Sequence, residues 1–171
     1  MQPFRKLAFV VNAEKSGAPE LAQELSDIAR KAGVKKIKIS SDKDLSERYF
    51  KGCDACCVIG GDGTLLGAVR GAANENIPII GVNQGSLGFL TTFSAEEARA
   101  QFATLLLGDY RVAHRSLLEC KAGFGKRDVA LNDVLIKNET NSRLVRLEVQ
   151  ADGKLVTEYY CDGMIFSTPT G

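Results

Sequence analysis

The sequence predicts an α/β domain, a parallel sheet with flanking helices, followed by the first part of a mostly β domain. Three observations carry this. Over the first hundred residues short apolar runs alternate with helical stripes. Two of those runs end directly in glycine-rich loops, Gly60-Gly-Asp-Gly-Thr64 and Asn83-Gln-Gly-Ser-Leu-Gly-Phe-Leu90. Near Gly108 the alternation stops and strand-like segments follow one another, which sets the domains at residues 1–108 and 109–171.

Taken in order, Leu7 to Val11 reads as a buried strand and Asn12 to Gly17 as a polar loop. Ala18 to Ala32 carries Leu21, Ala22, Leu25, Ile28 and Ala29 at helical spacing, with Gly33 as the stop. Lys36 to Ile39 is a short strand, and Lys31, Lys35, Lys36 and Lys38 around it read as a solvated edge rather than a binding patch. Asp44 to Phe50 is a weak helix. Ala55 to Ile59 is apolar throughout, as a strand covered on both faces must be. Thr64 to Ala73 is a helix closed by Asn74-Glu-Asn76, and Pro78 to Val82 a further strand. Glu96 to Leu107 is helical, with Ser94 as its cap and Glu97 completing a capping box. Tyr110 to Ala122, Arg127 to Lys137, Arg143 to Ala151, Lys154 to Cys161 and Met164 to Ser167 read as strands, with Asp152-Gly153 a tight hairpin turn.

Composition bounds the function. The 22 basic residues nearly balance the 21 acidic ones, leaving a formal charge of +1. That balance argues against nucleic acid as a partner and against a polybasic membrane anchor. No apolar run is long enough to span a bilayer, and Met1 to Val11 is too short for a secretory signal. A cytoplasmic location is expected. The five cysteines are odd in number, and Cys53, Cys56 and Cys57 crowd one strand, which suits reduced thiols. Cys53-x2-Cys56 lacks the second pair that a zinc site needs, so a buried strand of small side chains accounts for it. The protein itself is assigned no metal ligands.

The chemistry is concentrated at the strand ends. Gly60, Gly61 and Gly63 let a ligand approach the backbone, Thr64 is placed to cap the following helix, and a helix amino terminus offers unpaired N–H groups to an anion. This is neither a Walker A loop nor the dinucleotide fingerprint, whose spacing Gly61-x-Gly63-x3-Gly67 misses by one residue. Asp62 would repel a phosphate. It fits a role with a proton, a metal ion or a sugar hydroxyl beside the phosphates. The alternative is an ordinary glycine turn with Asp62 as a cap. The second loop, beginning at Asn83, would lie beside the first at the carboxyl edge of a parallel sheet, or be a connecting turn. Asn132-Asp133 interrupts an apolar strand and offers donors and acceptors to a pair of sugar hydroxyls, or marks a bulge. Asp162-Gly-Met-Ile-Phe-Ser-Thr-Pro-Thr-Gly171 ends in a hydroxyl-rich loop suited to a base edge. His114 has no nucleophile at a motif spacing and reads as structural.

Four stretches in this order, Gly60-Gly-Asp-Gly-Thr64, Gly81-Val-Asn-Gln-Gly-Ser-Leu-Gly-Phe-Leu90, Ala130-Leu-Asn-Asp-Val134 and Asp162 to Gly171, resemble the NAD kinase family. The first alone is shared with lipid kinases and phosphofructokinases; the set of four is far more selective. The resemblance implies a phosphofructokinase-like α/β domain and phosphoryl transfer to the 2′-hydroxyl of the adenosine ribose of NAD, giving NADP. ATP, or polyphosphate in some members, is the implied donor, with Mg2+ or another divalent cation assisting. Asp62 would accept the hydroxyl proton. A carboxylate can orient the alcohol and take the proton late in a loose transition state. Gly60, Gly61, Gly63 and Thr64 would hold phosphates, and Asp62 and Gly63 would also touch NAD. Asn132, Asp133, Arg143 and Asp162 fall at dinucleotide-contacting positions, and Asn83 would support the cleft wall. Many members carry Glu at the position of Asp133, which shortens the implied reach to the ribose. Family members also continue past the motif ending at Gly171. The resemblance therefore implies a truncated kinase, whose missing part completes the β domain and supplies homo-oligomer contacts. Two alternatives stand beside this: a lipid or sugar kinase sharing the glycine motif, and a non-catalytic NAD- or NADP-binding short form.

Overall fold

Strand β1 (Lys6–Val11) is buried from its second residue onward, and β3 (Ala55–Gly60) is buried at every position. These two apolar runs form the middle of a five-stranded parallel sheet in the computed structural model. The structure describes the chain except residues 1, 43–44, 86–87, 126 and 139–143, and gives the backbone alone at 47 and 124. The strand order is β2-β1-β3-β4-β5, where β2 is Lys36–Ser40, β4 Ile79–Asn83 and β5 Phe93–Ser94. Every pairing is parallel, so all strands end at one edge of the sheet.

Helix α1 (Ala18–Lys31) buries Leu21, Ala22, Leu25 and Ala29, and Gly33 at φ 91° stops the chain behind it. Helix α3 (Ala95–Leu106) packs beside it and carries the expected capping box: Ser94 Oγ accepts from Glu97 N, and Glu97 Oε2 from Ser94 N. The core cluster joins Leu7, Phe9, Leu25, Ile59, Val82 and Phe102. Full burial of each such side chain stabilises by about 1.5–3 kcal/mol. Cys53, Cys56 and Cys57 are buried free thiols, and burial holds Cys56 and Cys57 well above the ordinary thiol range.

Several elements differ from the sequence reading. Helix α2 (Asp62–Asn74) begins two residues before the expected start at Thr64. The weak helix at 44–50 is a single 3₁₀ turn, Glu47–Phe50, with residue 44 outside the described residues. Its aromatic pair explains the shape: Tyr49 Oη donates to Phe9 O at 2.7 Å while Phe50 is driven into the interior. The expected strand from Tyr110 to Ala122 contracts to β6 (Leu118–Lys121). Tyr110 instead stacks on Phe4 with ring centroids 4.8 Å apart, and residues 111–117 are exposed without a strand partner. The two-residue β5 was not foreseen.

The chain divides into two units, residues 1–113 and 114–171. Among its described residues the second contains three antiparallel pairs: β6 with β7 (Arg127–Ala130), β8 (Asp133–Lys137) with β11 (Gly163–Ser167), and β9 (Val145–Ala151) with β10 (Lys154–Cys161). The run expected at 127–137 is broken at Leu131-Asn132 into β7 and β8. Asp152 and Gly153 both take positive φ, 50° and 75°, which joins β9 to β10 in a two-residue turn. Along β9, Val145, Leu147 and Val149 are half-buried while Arg146, Glu148 and Gln150 are exposed.

Candidate functional site

Three loops meet at the carboxyl edge of the parallel sheet. Asn12 starts the first. Its N–H donates to Ile59 O at 2.9 Å, and its Oδ1 accepts from Glu14 N at 3.1 Å, turning the chain after β1. Lys15 N then donates to Asn12 O at 3.1 Å. This turn sends the Lys15 ammonium across the other two loops. A Cβ on Gly61 would lie 3.1 Å from Nζ, and one on Gly85 would lie 3.4 Å from it. Gly85 also adopts φ +110°, which favours glycine there. Gln84 fastens the third loop: its N–H donates to Gly60 O at 2.9 Å and its Nε2 to Ser16 O at 2.8 Å.

Gly61 is the N-cap of α2, and no side chain caps that helix. Thr64 lies inside the first turn and is not the cap. Its N–H donates to Gly61 O at 3.0 Å, and its side chain folds back so closely on Gly60 that no Cβ would fit there. The helix amino end is thus lined by bare backbone, which suits an anion.

Asp62 occupies the first helical position and is half-buried. Its carboxylate is fixed by the loop after β4: Oδ2 accepts from Phe89 N at 2.8 Å and Oδ1 from Leu90 N at 3.1 Å. Gly88 presses on the carboxylate so tightly that an added Cβ would overlap it. Each carboxylate oxygen keeps a second lone pair, so an alcohol could still donate to it. Asn83 is 6% exposed and donates from Nδ2 to Gly85 O at 2.9 Å. Its Oδ1 is buried without a donor, as is Thr91 Oγ1. Among the described residues no cluster of three or more His, Cys, Asp or Glu could cage a metal ion.

In the second unit, Asn132 stands between β7 and β8, and its Oδ1 is likewise buried without a donor. The chain end packs on it. Thr168 N donates to Asn132 O at 2.8 Å, and Thr168 Oγ1 donates to Leu131 O. A Cβ on Gly171 would come within 2.5 Å of Asn132 O. Asp133 is exposed and pairs in register with Ser167. The sequence-linked motifs at 130–134 and 167–171 are therefore one structure. Asp162 is exposed and stands at the other end of the β8–β11 ladder, where Gly163 faces Lys137. Five residue steps of about 3.4 Å each separate it from Ser167. Arg143 lies outside the described residues.

Sequence reasoning brought together Gly60, Gly61, Asp62, Gly63, Thr64 and Asn83, which the sheet does place at one edge. It passed over Lys15, Gln84 and Gly88. For Lys15 a signal was present: a polar loop directly after a buried strand, on a strand that neighbours the glycine turn once the order β1-β3-β4 is known.

The family profile of the ATP-NAD kinase N-terminal domain matches residues 7–110, and that of the ATP-NAD kinase C-terminal domain matches residues 131–171. The NAD kinase of Pseudomonas fluorescens strain Pf-5 is 43% identical over 140 residues, covering 79% of this chain and 46% of that protein. The NAD kinase of Clostridium botulinum strain Loch Maree is 33% identical over 173 residues, covering 98% of this chain and 62% of its own. The chain thus spans about half to three-fifths of the length of these relatives. The crystal structure of yeast NADH kinase complexed with NADH shares the fold at a TM-score of 0.75 and 21% identity, covering all of this chain and 59% of the yeast one. Two family profiles lying in order along one chain, over a sheet edge built as described, lead to a single assignment: the chain belongs to the NAD kinase family.

Proposed function

We propose that the protein phosphorylates the 2′-hydroxyl of the adenosine ribose of NAD to give NADP, with ATP as the donor. The observation that carries this reading is the setting of Asp62. A carboxylate sits at an uncapped helix amino end, oriented by two backbone amides, with lone pairs left for an alcohol. In the proposed reaction Asp62 orients the 2′-hydroxyl and takes its proton as the O–P bond forms. A weak base suffices, since the proton leaves late in a loose phosphoryl transfer. Gly60, Gly61, Gly63 and Thr64 are assigned to the phosphates, which the amino end of α2 attracts through its dipole. Asn132 offers its unpaired Oδ1 to a ribose hydroxyl, with Asp133 beside it. Asp162 and Arg143 are assigned to contacts with the dinucleotide, Asp62 and Gly63 also contact it, and Asn83 supports the wall.

Mg2+ or another divalent cation would neutralise charge on the donor's phosphates. Mg2+ commonly keeps several waters and binds through substrate phosphates, and no protein ligand is assigned to it. A protein cage is not required for that arrangement. The proposed setting is the cytoplasm; among the described residues no helix is long and apolar enough to cross a membrane.

The test uses the full-length protein with NAD, ATP and magnesium and measures NADP. Product at ordinary enzyme rates is expected. Asp62→Asn should lower turnover by about 10²–10⁴-fold while NAD still binds. Absence of product from the full-length wild type, or near-normal turnover in the variant, would overturn the respective part of the reading.

A further inference from the structure

We infer that Lys15 is a binding residue for the phosphoryl donor, its ammonium holding an oligophosphate chain at the amino end of α2. The inference rests on the phosphotransfer function proposed above. Lys15 belongs to neither glycine loop, yet its Nζ lies beside both, 3.1 Å and 3.4 Å from where a Cβ on Gly61 and on Gly85 would stand. The residue is half-buried, and its backbone is set by the Asn12 turn rather than left to a flexible surface loop.

The ammonium has no evident structural duty. Among the described residues no carboxylate forms an ion pair with it. The nearby Asp62 directs both oxygens to the Phe89 and Leu90 amides instead. The Lys15 ammonium and the uncapped amino end of α2 bring two sources of positive potential to one spot. Gly61 and Gly85 remove the side chains that would otherwise fill it. Among the described residues, the lysine is the side chain nearest the Cβ positions of Gly61 and Gly85, so the cradle is matched to charge. An oligophosphate is the ligand class that matches. It is shared by a nucleoside triphosphate and by inorganic polyphosphate, and a lysine serves either as a mobile point charge.

The experiment compares full-length wild type, Lys15→Met and Lys15→Arg by calorimetric titration with inorganic tripolyphosphate, ATP and NAD in turn. Melting temperatures report on the fold. Lys15→Met should lose about tenfold or more in tripolyphosphate and ATP affinity, with NAD affinity within about twofold of wild type. Lys15→Arg should retain most of the affinity, and the KM for ATP should rise in Lys15→Met without a matching rise for NAD. A loss for ATP but not tripolyphosphate would show that the lysine reads the nucleoside, and would overturn the inference. So would tripolyphosphate affinity unchanged in Lys15→Met, no binding of tripolyphosphate by wild type, or a loss confined to NAD. If wild type makes no NADP the functional reading fails, while the tripolyphosphate titration still decides on Lys15. If wild type makes NADP and the Lys15→Met affinities match it, only the lysine assignment falls.

Discussion

At the scale of single residues, the geometry turns on a glycine that carries no functional group. Gly88 lies against the Asp62 carboxylate, and a methyl group there would displace it from the Phe89 and Leu90 amides. Gly88→Ala should therefore reduce turnover by about 10²–10⁴-fold, as loss of the proton acceptor would. Its melting temperature should stay close to wild type, because the clash falls on the tip of a side chain and not on the core. A crystal structure showing Asp62 unmoved in that variant, or full activity, would contradict this. The glycines of the first loop were legible as a phosphate site because they follow a buried strand. Gly88 was visible as part of a loop but not as the partner of Asp62, since 26 positions in sequence separate them. Lys15 was hidden for the same reason. Short-range pattern identifies what a residue can do, and only the sheet order says whom it meets.

At the scale of elements, the capping box of α3 makes a separable contribution. Loss of the Ser94 hydroxyl in Ser94→Ala should cost about 1 kcal/mol, read as a lowered denaturation midpoint. The backbone N–H of Ser94, then its side chain, holds the Glu97 carboxyl below its usual value of 4.5. A carboxyl whose folded value is depressed contributes stability above its unfolded value, and that contribution disappears as pH falls through the folded one. The stability difference between wild type and Glu97→Gln should thus be constant near neutrality and shrink as the pH drops below about 4.5. A difference that persists at pH 3 would mean that the carboxylate is not the group involved. This element was readable in the sequence because its signal is local, Ser94 and Glu97 three residues apart. The strand expected over 110–122 failed for the converse reason. Tyr110 found a distant partner in Phe4, and the polar run after it found none in the sheet.

At the scale of the molecule, the two units have different kinds of support. Residues 1–113 contain the five-stranded sheet, three helices and nearly all of the buried apolar side chains. Residues 114–171 contain three two-stranded pieces, with Leu135, Leu155, Val156, Tyr160 and Ile165 more than half exposed. Two-stranded pieces are marginal by themselves. Hydrogen exchange on the 171-residue chain should show slow amides in β1, β3 and β4 and much faster ones throughout β8 to β11; equal protection would refute this. The alternation of strand and helix made the first unit legible. The second could be assigned only as β, since its pairings join segments as far apart as 133 and 167. The meeting of the loops after β1, β3 and β4 has a temporal side as well. Asn12, Gly61 and Gly85 can become neighbours only when three strands have found their places, a requirement that delays non-local structure. Affinity for phosphate should accordingly emerge at the close of refolding, and a nascent chain halted before Ile79 would have none to offer.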